Sequence, residues 1–303
     1  MRKSFIVLTL SLISFTSLVF VIFSAFSSML PQVRGFLYTD INSYGRQPYP
    51  EVYESYEFRE TVKDINITST DLTVSIHGTD SEYIAMVLTG TGPSSQIPEY
   101  SVACSGGTLS LEMSEKSYDA VLDLYLPLTV KFSSLNIQNI YSPVNLYTLN
   151  ISDININSIF GDVYAYSIYN VSSFKATTLT GQIHIADCTA VSLECESDSG
   201  TIVIESGAEN LTVKNKSGRI QFSSDHFFRK ADLRTESGDI ELIFPPDSSF
   251  EISYFNRYGS VIYKDFVLTA DGNILACTSD SSVPVPINIK TDYGNVYIYS
   301  SSP

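Results

Sequence analysis

From about residue 131 onward, apolar and polar residues alternate in short runs, and a glycine separates one run from the next. The stretch Ser199–Ile204, Ser-Gly-Thr-Ile-Val-Ile, shows the unit. Alternation with a period of two is typical of a strand with one buried face, and the glycine indicates a turn. The pattern therefore predicts repeated turn-and-strand units. The unit recurs at Ser217–Phe222, Ser237–Leu242, Tyr258–Tyr263 and Tyr293–Ile298.

The glycine recurs at a nearly constant spacing, which predicts a repeat architecture. Successive steps are 20, 19, 18, 20, 21 and 35 residues, and the last step is close to two repeats. Ser142 occupies the equivalent position before the first of these glycines. We interpret each glycine as a corner, where the chain must turn with a positive φ or without a Cβ atom. The predicted corner glycines are Gly161, Gly181, Gly200, Gly218, Gly238, Gly259 and Gly294.

Four positions of each repeat are almost wholly apolar, namely seven and five residues before the glycine and two and four residues after it. Around Gly200 these positions hold Leu193, Cys195, Ile202 and Ile204. The positions between them are mostly polar, so each repeat is predicted to contain two strands that meet at the corner. No pattern with a period of 3.6 lies between the strands, so no helix is predicted to cover the sheets.

A repeat of about 19 residues cannot bury its own apolar face, but stacked copies build one continuous interior. We therefore predict an all-β fold, a parallel β-helix (solenoid) of about nine or ten coils and about 45 Å in length. An antiparallel barrel or sandwich is the alternative, although its hairpins would not require like residues at four positions with one period. The predicted domain spans residues 59–303, with irregular capping coils in 59–130 and regular repeats in 131–303.

Residues 1–30 predict a transmembrane helix. Arg2 and Lys3 precede an uncharged apolar run that is long enough to cross a bilayer. We interpret this run as an uncleaved signal anchor with the N-terminus in the cytoplasm and the C-terminal domain extracytoplasmic, and secretion after signal cleavage is the alternative. Residues 31–58 contain scattered proline, glycine and tyrosine and are predicted to be an extracytoplasmic linker.

Composition and charge exclude several classes of function. The 303 residues carry a net charge of −15, whereas a nucleic-acid-binding protein would need a basic surface. The four cysteines lack the spacing of a metal site, so we predict neither a metal nor a cofactor. Cys188 and Cys195 lie seven residues apart, and a disulfide between them could close the turn between two coils in an oxidising compartment.

The repeated motif Ser-Gly-x-Ile-x-apolar follows a predicted signal anchor. In this combination the sequence resembles a known bacterial family, the “putative adhesin” domain of unknown function. The resemblance covers roughly residues 60–303 and is carried by copies such as Ser237–Leu242, Ser-Gly-Asp-Ile-Glu-Leu. It implies a parallel β-helix on the extracytoplasmic side of a membrane-anchored envelope protein. No catalytic residues are established for the family, so the resemblance implies none.

A carbohydrate-active enzyme, such as a polysaccharide lyase or a glycosidase, is the competing hypothesis. Such an enzyme needs two carboxylates, or a carboxylate with a lysine or arginine, on one face. Glu194 and Glu196 share the predicted outward face, and Lys214 and Arg234 lie in neighbouring coils. Charges that alternate along a sheet are more simply explained by ion pairs between coils. His184 is predicted to face solvent and has no second residue at metal-site spacing.

Exposed aromatic residues are the predicted binding groups. Aromatic rings on a flat sheet can pack on sugars or dock a partner protein, although they can also cover the edges of a solenoid. We predict a non-catalytic role in binding, adhesion or envelope scaffolding, with a cell-surface glycan or an envelope protein as partner. A purely structural stalk is the third hypothesis. The candidate surface-binding residues are Tyr164, Tyr258, Tyr293 and Tyr297.

Overall fold

A computed structural model describes residues 51–91, 100–113, 118–223, 228–277 and 284–301 of the chain. These residues consist of strands, turns and bends, and none of them is helical. Accordingly, the described ranges contain no helix with the length and apolar character needed to cross a membrane. The transmembrane helix predicted for residues 1–30 and most of the predicted linker lie outside the described residues.

The all-β prediction is confirmed over the described residues. The strands are β1 (Glu51–Phe58), β2 (Asp64–Ser69), β3 (Leu72–Thr79), β4 (Ile84–Thr91), β5 (Tyr100–Ser105), β6 (Thr108–Met113), β7 (Tyr118–Pro127), β8 (Phe132–Asn139), β9 (Val144–Tyr147), β10 (Ile151–Ser158), β11 (Val163–Tyr166), β12 (Val171–Thr178), β13 (Ile183–Ser197), β14 (Ile202–Asn215), β15 (Ile220–Ser223), β16 (Lys230–Thr235), β17 (Ile240–Phe244), β18 (Phe250–Asn256), β19 (Val261–Tyr263), β20 (Thr269–Asp271), β21 (Ile274–Cys277), β22 (Val285–Thr291) and β23 (Val296–Ser300).

The strands stack in two parallel arrays that meet at the corners, which gives a solenoid-like fold. The first array holds the strands before each corner, and in it Ile154 of β10 pairs with Leu135 of β8 and Phe174 of β12. The second array holds the strands after each corner, and in it Val163 of β11 pairs with Ile183 of β13. β13 and β14 are long enough to contribute to both arrays.

The apolar positions of the repeat form the interior of the solenoid. Parallel pairing in register places like residues on one another, so each apolar position becomes a continuous buried column. The position four residues after the corner is fully buried in consecutive coils. Its residues are Leu146, Ala165, Ile185, Ile204, Phe222, Leu242 and Ile298.

The predicted corner glycines lie where successive coils approach one another. A Cβ atom on Gly200 would overlap the carbonyl oxygen of Gly181, and each of the other six would overlap the carbonyl oxygen of the corner residue in the adjacent coil. None of the seven has a positive φ, so the need for a missing Cβ, and not φ, explains these glycines. A hydroxyl or amide three residues earlier supports most corners. The N–H of Gly200, for example, donates to Ser197 Oγ at 2.9 Å.

At both ends, the coils stack in an order that differs from their order along the chain. β22 and β23 lie between the β16/β17 coil and the β18/β19 coil, and Ile287 pairs with Ala231 on one side and Ile252 on the other. The 35-residue step therefore leads from the terminal β18/β19 coil through β20 and β21 back to the coil beneath it, and does not contain two stacked repeats. At the opposite end, β2 and β3 lie between β6/β7 and β8/β9.

Antiparallel strands extend both ends of the solenoid. β5 pairs with β6, β4 with β7 and β1 with β4 at one end, and β21 pairs with β18 and β20 with β21 at the other. β1 falls within the predicted linker, residues 31–58. Because Tyr56 and Phe58 pack against the core, residues 51–58 are part of the β-domain, and the predicted boundary at residue 59 is corrected.

The predicted disulfide is not formed, because Cys188 and Cys195 are free, buried thiols. Cys195 lies in an interior column between Ala176 and Val213, whereas Cys188 lies at the bend of β13, where its N–H donates to Ser206 Oγ at 3.1 Å. Burial raises the pKa of Cys188 to about 11 and also raises the pKa of Cys195. Both thiols therefore remain protonated near neutral pH.

Candidate functional site

The outer face of the second array carries a continuous row of aromatic and imidazole rings. This tyrosine–histidine row consists of Tyr125 in β7, His77 in β3, Tyr147 in β9, Tyr166 in β11 and His184 in β13. The residues beside a row member in the same strand face the interior, as Leu124 and Leu126 do on either side of Tyr125. Because side chains alternate along a strand, the five members of the row face outward. The row combines residues that are far apart in the chain because β3 stacks between β7 and β9.

Most of the rings stack face to face. The ring centroid of His77 lies 5.4 Å from that of Tyr125, with an interplanar angle of 22°. It lies 5.0 Å from the ring centroid of Tyr147, with an interplanar angle of 7°. Tyr147 and Tyr166 are 5.8 Å apart at 13°, and His184 meets Tyr166 edge-on at 5.5 Å and 75°. Because the four stacked rings, Tyr125, His77, Tyr147 and Tyr166, cover one another's faces, this part of the row presents mainly ring edges and polar atoms to solvent.

Hydrogen bonds fix His184 at one end of the row. Its Nε2 lies 3.1 Å from Oε2 of Glu205, and its Nδ1 lies 3.3 Å from the hydroxyl oxygen of Tyr166. Since a carboxylate can only accept, Nε2 carries a proton and donates to Glu205. In the tautomer that has its proton on Nε2, Nδ1 accepts from the Tyr166 O–H. His77 also has a carboxylate nearby, with its Nε2 3.7 Å from Asp123 Oδ1.

The hydroxyls of Tyr125 and Tyr166 stay protonated near neutral pH. Partial burial and then the charge of Asp123 raise the pKa of Tyr125. Partial burial, followed by the effects of Tyr147 and Glu205, raises the pKa of Tyr166. A tyrosine with a raised pKa keeps its O–H and is a poor nucleophile. The row is therefore suited to hydrogen bonding rather than to covalent catalysis.

The family model Toastrack DUF4097 matches residues 62–299. The chain belongs to this Toastrack family. The resemblance to an adhesin-like family of unknown function, predicted from the repeat motif, is thereby confirmed. No curated protein matches the chain.

Solved structures resemble the Toastrack chain at low sequence identity. A “putative adhesin” from Parabacteroides distasonis is 11% identical, with 84% of this chain and 98% of that chain covered and a TM-score of 0.50. A “putative adhesin” from Bacteroides fragilis is 13% identical, with coverage of 85% and 100% and a TM-score of 0.49. A “putative lipid binding protein” from Parabacteroides distasonis is 17% identical, with coverage of 82% and 97% and a TM-score of 0.45. The first of these likenesses supports the β-rich, solenoid-like fold.

The Toastrack solenoid brings together two of the four tyrosines predicted to bind. Tyr258 and Tyr293 belong to adjacent coils and stack at the corner edge, with centroids 5.0 Å apart. Their exposed fractions are 67% and 64%, and the Arg257 guanidinium lies 6.0 Å from the Tyr258 ring centroid. Tyr297 lies apart from them on the outer face, where it stacks on Tyr299 at 6.0 Å.

Tyr164, the fourth predicted tyrosine, lies beside the tyrosine–histidine row. Its ring meets His184 edge-on at 6.4 Å, and its hydroxyl donates to Asp162 at 3.1 Å. Sequence reasoning missed the row itself. The available signal was an aromatic or imidazole residue five positions after a corner. Tyr147 and Tyr166 follow the corners at Ser142 and Gly161, and His77 follows Leu72, which lies level with Ser142 in the adjacent coil.

Three of the four charged residues of the enzyme hypothesis, Glu194, Lys214 and Arg234, form ion pairs on the first array. Glu194 lies 3.4 Å from the ammonium of Lys175 and 3.3 Å from that of Lys214. Burial raises the pKa of Glu194, but the two lysines lower it by more, so the net shift is downward. Arg234 donates two hydrogen bonds of 2.7 Å to Asp232. A carboxylate held ionised between two ammonium groups is poorly suited to act as a general acid.

Proposed function

We propose that the chain is a non-catalytic binding protein of the cell envelope, an adhesin-like solenoid that holds its ligand on the tyrosine–histidine row. The row supports this proposal because five rings in mutual contact lie on an outward face and are not needed to fill the interior. Rings with a polar tip are enriched at binding surfaces, since they combine apolar contact with hydrogen bonding.

The proposal includes tethering of the domain outside the cytoplasm. The apolar run within residues 1–30, preceded by Arg2 and Lys3, supports a signal anchor with its N-terminus in the cytoplasm. In intact cells, a protease added outside should then degrade the β-domain and leave an N-terminal tag protected. Protection of the domain as well would contradict this orientation.

A co-sedimentation assay tests the binding function. Full-length protein in a polyoxyethylene detergent, which contains no sugar, is mixed with insoluble bacterial envelope particles. We expect saturable binding without release of soluble saccharide. Tyr147→Ala combined with Tyr166→Ala should weaken binding by at least about tenfold, because aromatic residues dominate binding free energies. The matched control, Tyr297→Ala combined with Tyr299→Ala, removes another stacked pair from the same outer face and should bind like the unmodified protein.

Two results would overturn the proposal. Release of oligosaccharides or unsaturated sugars by the unmodified protein would support the carbohydrate-active enzyme. Failure to sediment with any envelope fraction would support the structural stalk. Melting temperatures of both double variants, measured in the same detergent, separate a loss of binding from a loss of folding.

A further inference from the structure

We propose that the ligand of the tyrosine–histidine row is a linear glycan without anionic groups, which lies along the row and is held by hydrogen bonds to the ring edges. This inference rests on the proposed binding function and specifies its ligand. Three properties of the row support it, namely its straight geometry, its unpaired hydroxyls and the charges beside it.

The geometry of the row fits an extended polymer. Tyr125, His77, Tyr147 and Tyr166 are register partners in adjacent strands, so the backbone spacing of the solenoid sets the spacing of the rings. With His184 included, the row crosses four strand spacings, or about 19 Å. A compact ligand would contact only one or two of these rings, whereas a linear chain of similar units can contact each ring in turn.

The polar atoms of the row fit a ligand that is rich in hydroxyl groups. The hydroxyls of Tyr125 and Tyr147 have no hydrogen-bond partner in the part of the chain that the structure describes. The stacked rings cover one another's faces, so a sugar is expected to meet ring edges and phenolic oxygens rather than a flat ring. An apolar ligand would leave both hydroxyls without partners, which is unfavourable once water is displaced. Glycan hydroxyls can donate to them and accept from them.

The charges beside the row disfavour an anionic ligand. Asp123 lies next to His77, Asp162 bonds Tyr164, and Glu205 bonds His184. The whole chain carries a net charge of −15, so a polyanion would be repelled both locally and at long range. An uncharged or amine-bearing glycan avoids this repulsion.

A pair of conservative substitutions tests the inference. Tyr125→Phe combined with Tyr147→Phe removes two hydroxyls and keeps both stacked rings, so the melting temperature should not change. Binding of the full-length variant to a linear neutral glycan, such as a β-1,4-glucan or an N-acetylglucosamine polymer, should weaken about tenfold, as expected for two lost hydrogen bonds. Tyr297→Phe combined with Tyr299→Phe is the matched control and should bind like the unmodified protein. A polyuronate of similar length should bind more weakly than the neutral glycans.

The outcomes separate this inference from the proposed function. If the protein sediments with envelope particles but the Tyr125→Phe/Tyr147→Phe variant binds neutral glycans unchanged, the ligand assignment is wrong and the binding function stands. Preference for the polyuronate, or an equal loss in the Tyr297→Phe/Tyr299→Phe control, also overturns the assignment. If the unmodified protein binds neither particles nor glycans, the proposed function fails as well.

Discussion

Single residues explain why the repeat needs glycine at one corner and not at the other. At the glycine corner, each backbone approaches the next so closely that a Cβ atom would meet a carbonyl oxygen. The opposite corner imposes a positive φ instead, and Thr148, Ser167 and Asp187 adopt φ values of 52°, 55° and 52° at equivalent positions. Such a φ costs a non-glycine residue free energy but leaves room for a side chain. In this solenoid, the lack of space for a Cβ atom therefore restricts a position to glycine more strictly than a positive φ does.

Gly200→Ala should lower the free energy of unfolding by about 3 kcal/mol or more, because the new methyl group overlaps the Gly181 carbonyl oxygen in a packed stack. Ser199→Ala is the matched control. Ser199 is exposed and its hydroxyl makes only a 3.4 Å contact to Leu179 O, so its loss should change the free energy by about 0.5 kcal/mol or less. Urea denaturation of both variants provides the measurement. Equal losses in the free energy of unfolding for Gly200→Ala and Ser199→Ala would show that the coils can separate to admit the methyl group.

At the scale of elements, the C-terminal strands act as an inner coil rather than as an end. β22 and β23 insert between β16/β17 and β18/β19, so the last strands of the chain are paired on both sides. The coil formed by β18 and β19 becomes the terminal one. Its Tyr263 occupies a column that is fully buried elsewhere, yet 48% of its surface is exposed. Burial in this region therefore follows the stacking order and not the chain order.

Ile298→Ala should lower the free energy of unfolding by about 2–5 kcal/mol, because Ile298 is fully buried between Leu242 and Tyr263. Tyr263→Ala, in the same column of the terminal coil, should cost about 1 kcal/mol. Chemical denaturation with tryptophan-independent detection, such as far-ultraviolet circular dichroism, compares the two variants. A larger loss for Tyr263→Ala would contradict the interleaved order and would favour stacking in chain order.

At the scale of the whole molecule, a strongly acidic chain is held together by a continuous apolar interior. The net charge of −15 opposes the compact state, whereas ion-pair ladders such as Lys175–Glu194–Lys214 favour it. Exposed ion pairs contribute little, with a typical value of about 0–1 kcal/mol. Net repulsion should therefore outweigh them.

Salt should stabilise the protein. An increase from about 0.01 M to about 0.15 M NaCl shortens the Debye length from about 30 Å to about 8 Å and screens the long-range repulsion. We expect the melting temperature to rise by about 3 °C, which corresponds to about 1 kcal/mol for a domain of this size. A melting temperature that falls with salt would mean that the ion-pair ladders dominate. Choline chloride at equal ionic strength controls for specific binding of sodium.

The sequence determined the strands, the corners and the interior columns of this protein. Alternation with a period of two determines which face of a strand is buried, and stacking requires that pattern to recur. The corner position of Gly200 and the burial of Ile202 and Ile204 could therefore be predicted from the sequence. The same local pattern identified outward tyrosines such as Tyr258 and Tyr293. It could not show which of them would touch.

Only the tertiary structure decided the order of the coils and the composition of the candidate site. β22 pairs with β16, although the coil of β18 and β19 lies between these two strands in the chain. A periodic sequence does not determine which coils pair in this way, because every coil offers a similar edge. The tyrosine–histidine row has the same origin. His77 meets Tyr125 and Tyr147 because β3 is inserted between β7 and β9, and the positions of these residues in the chain do not show that they touch. The repeat pattern therefore specifies the fold of each coil, whereas the order in which the coils stack decides which side chains meet on the outer face.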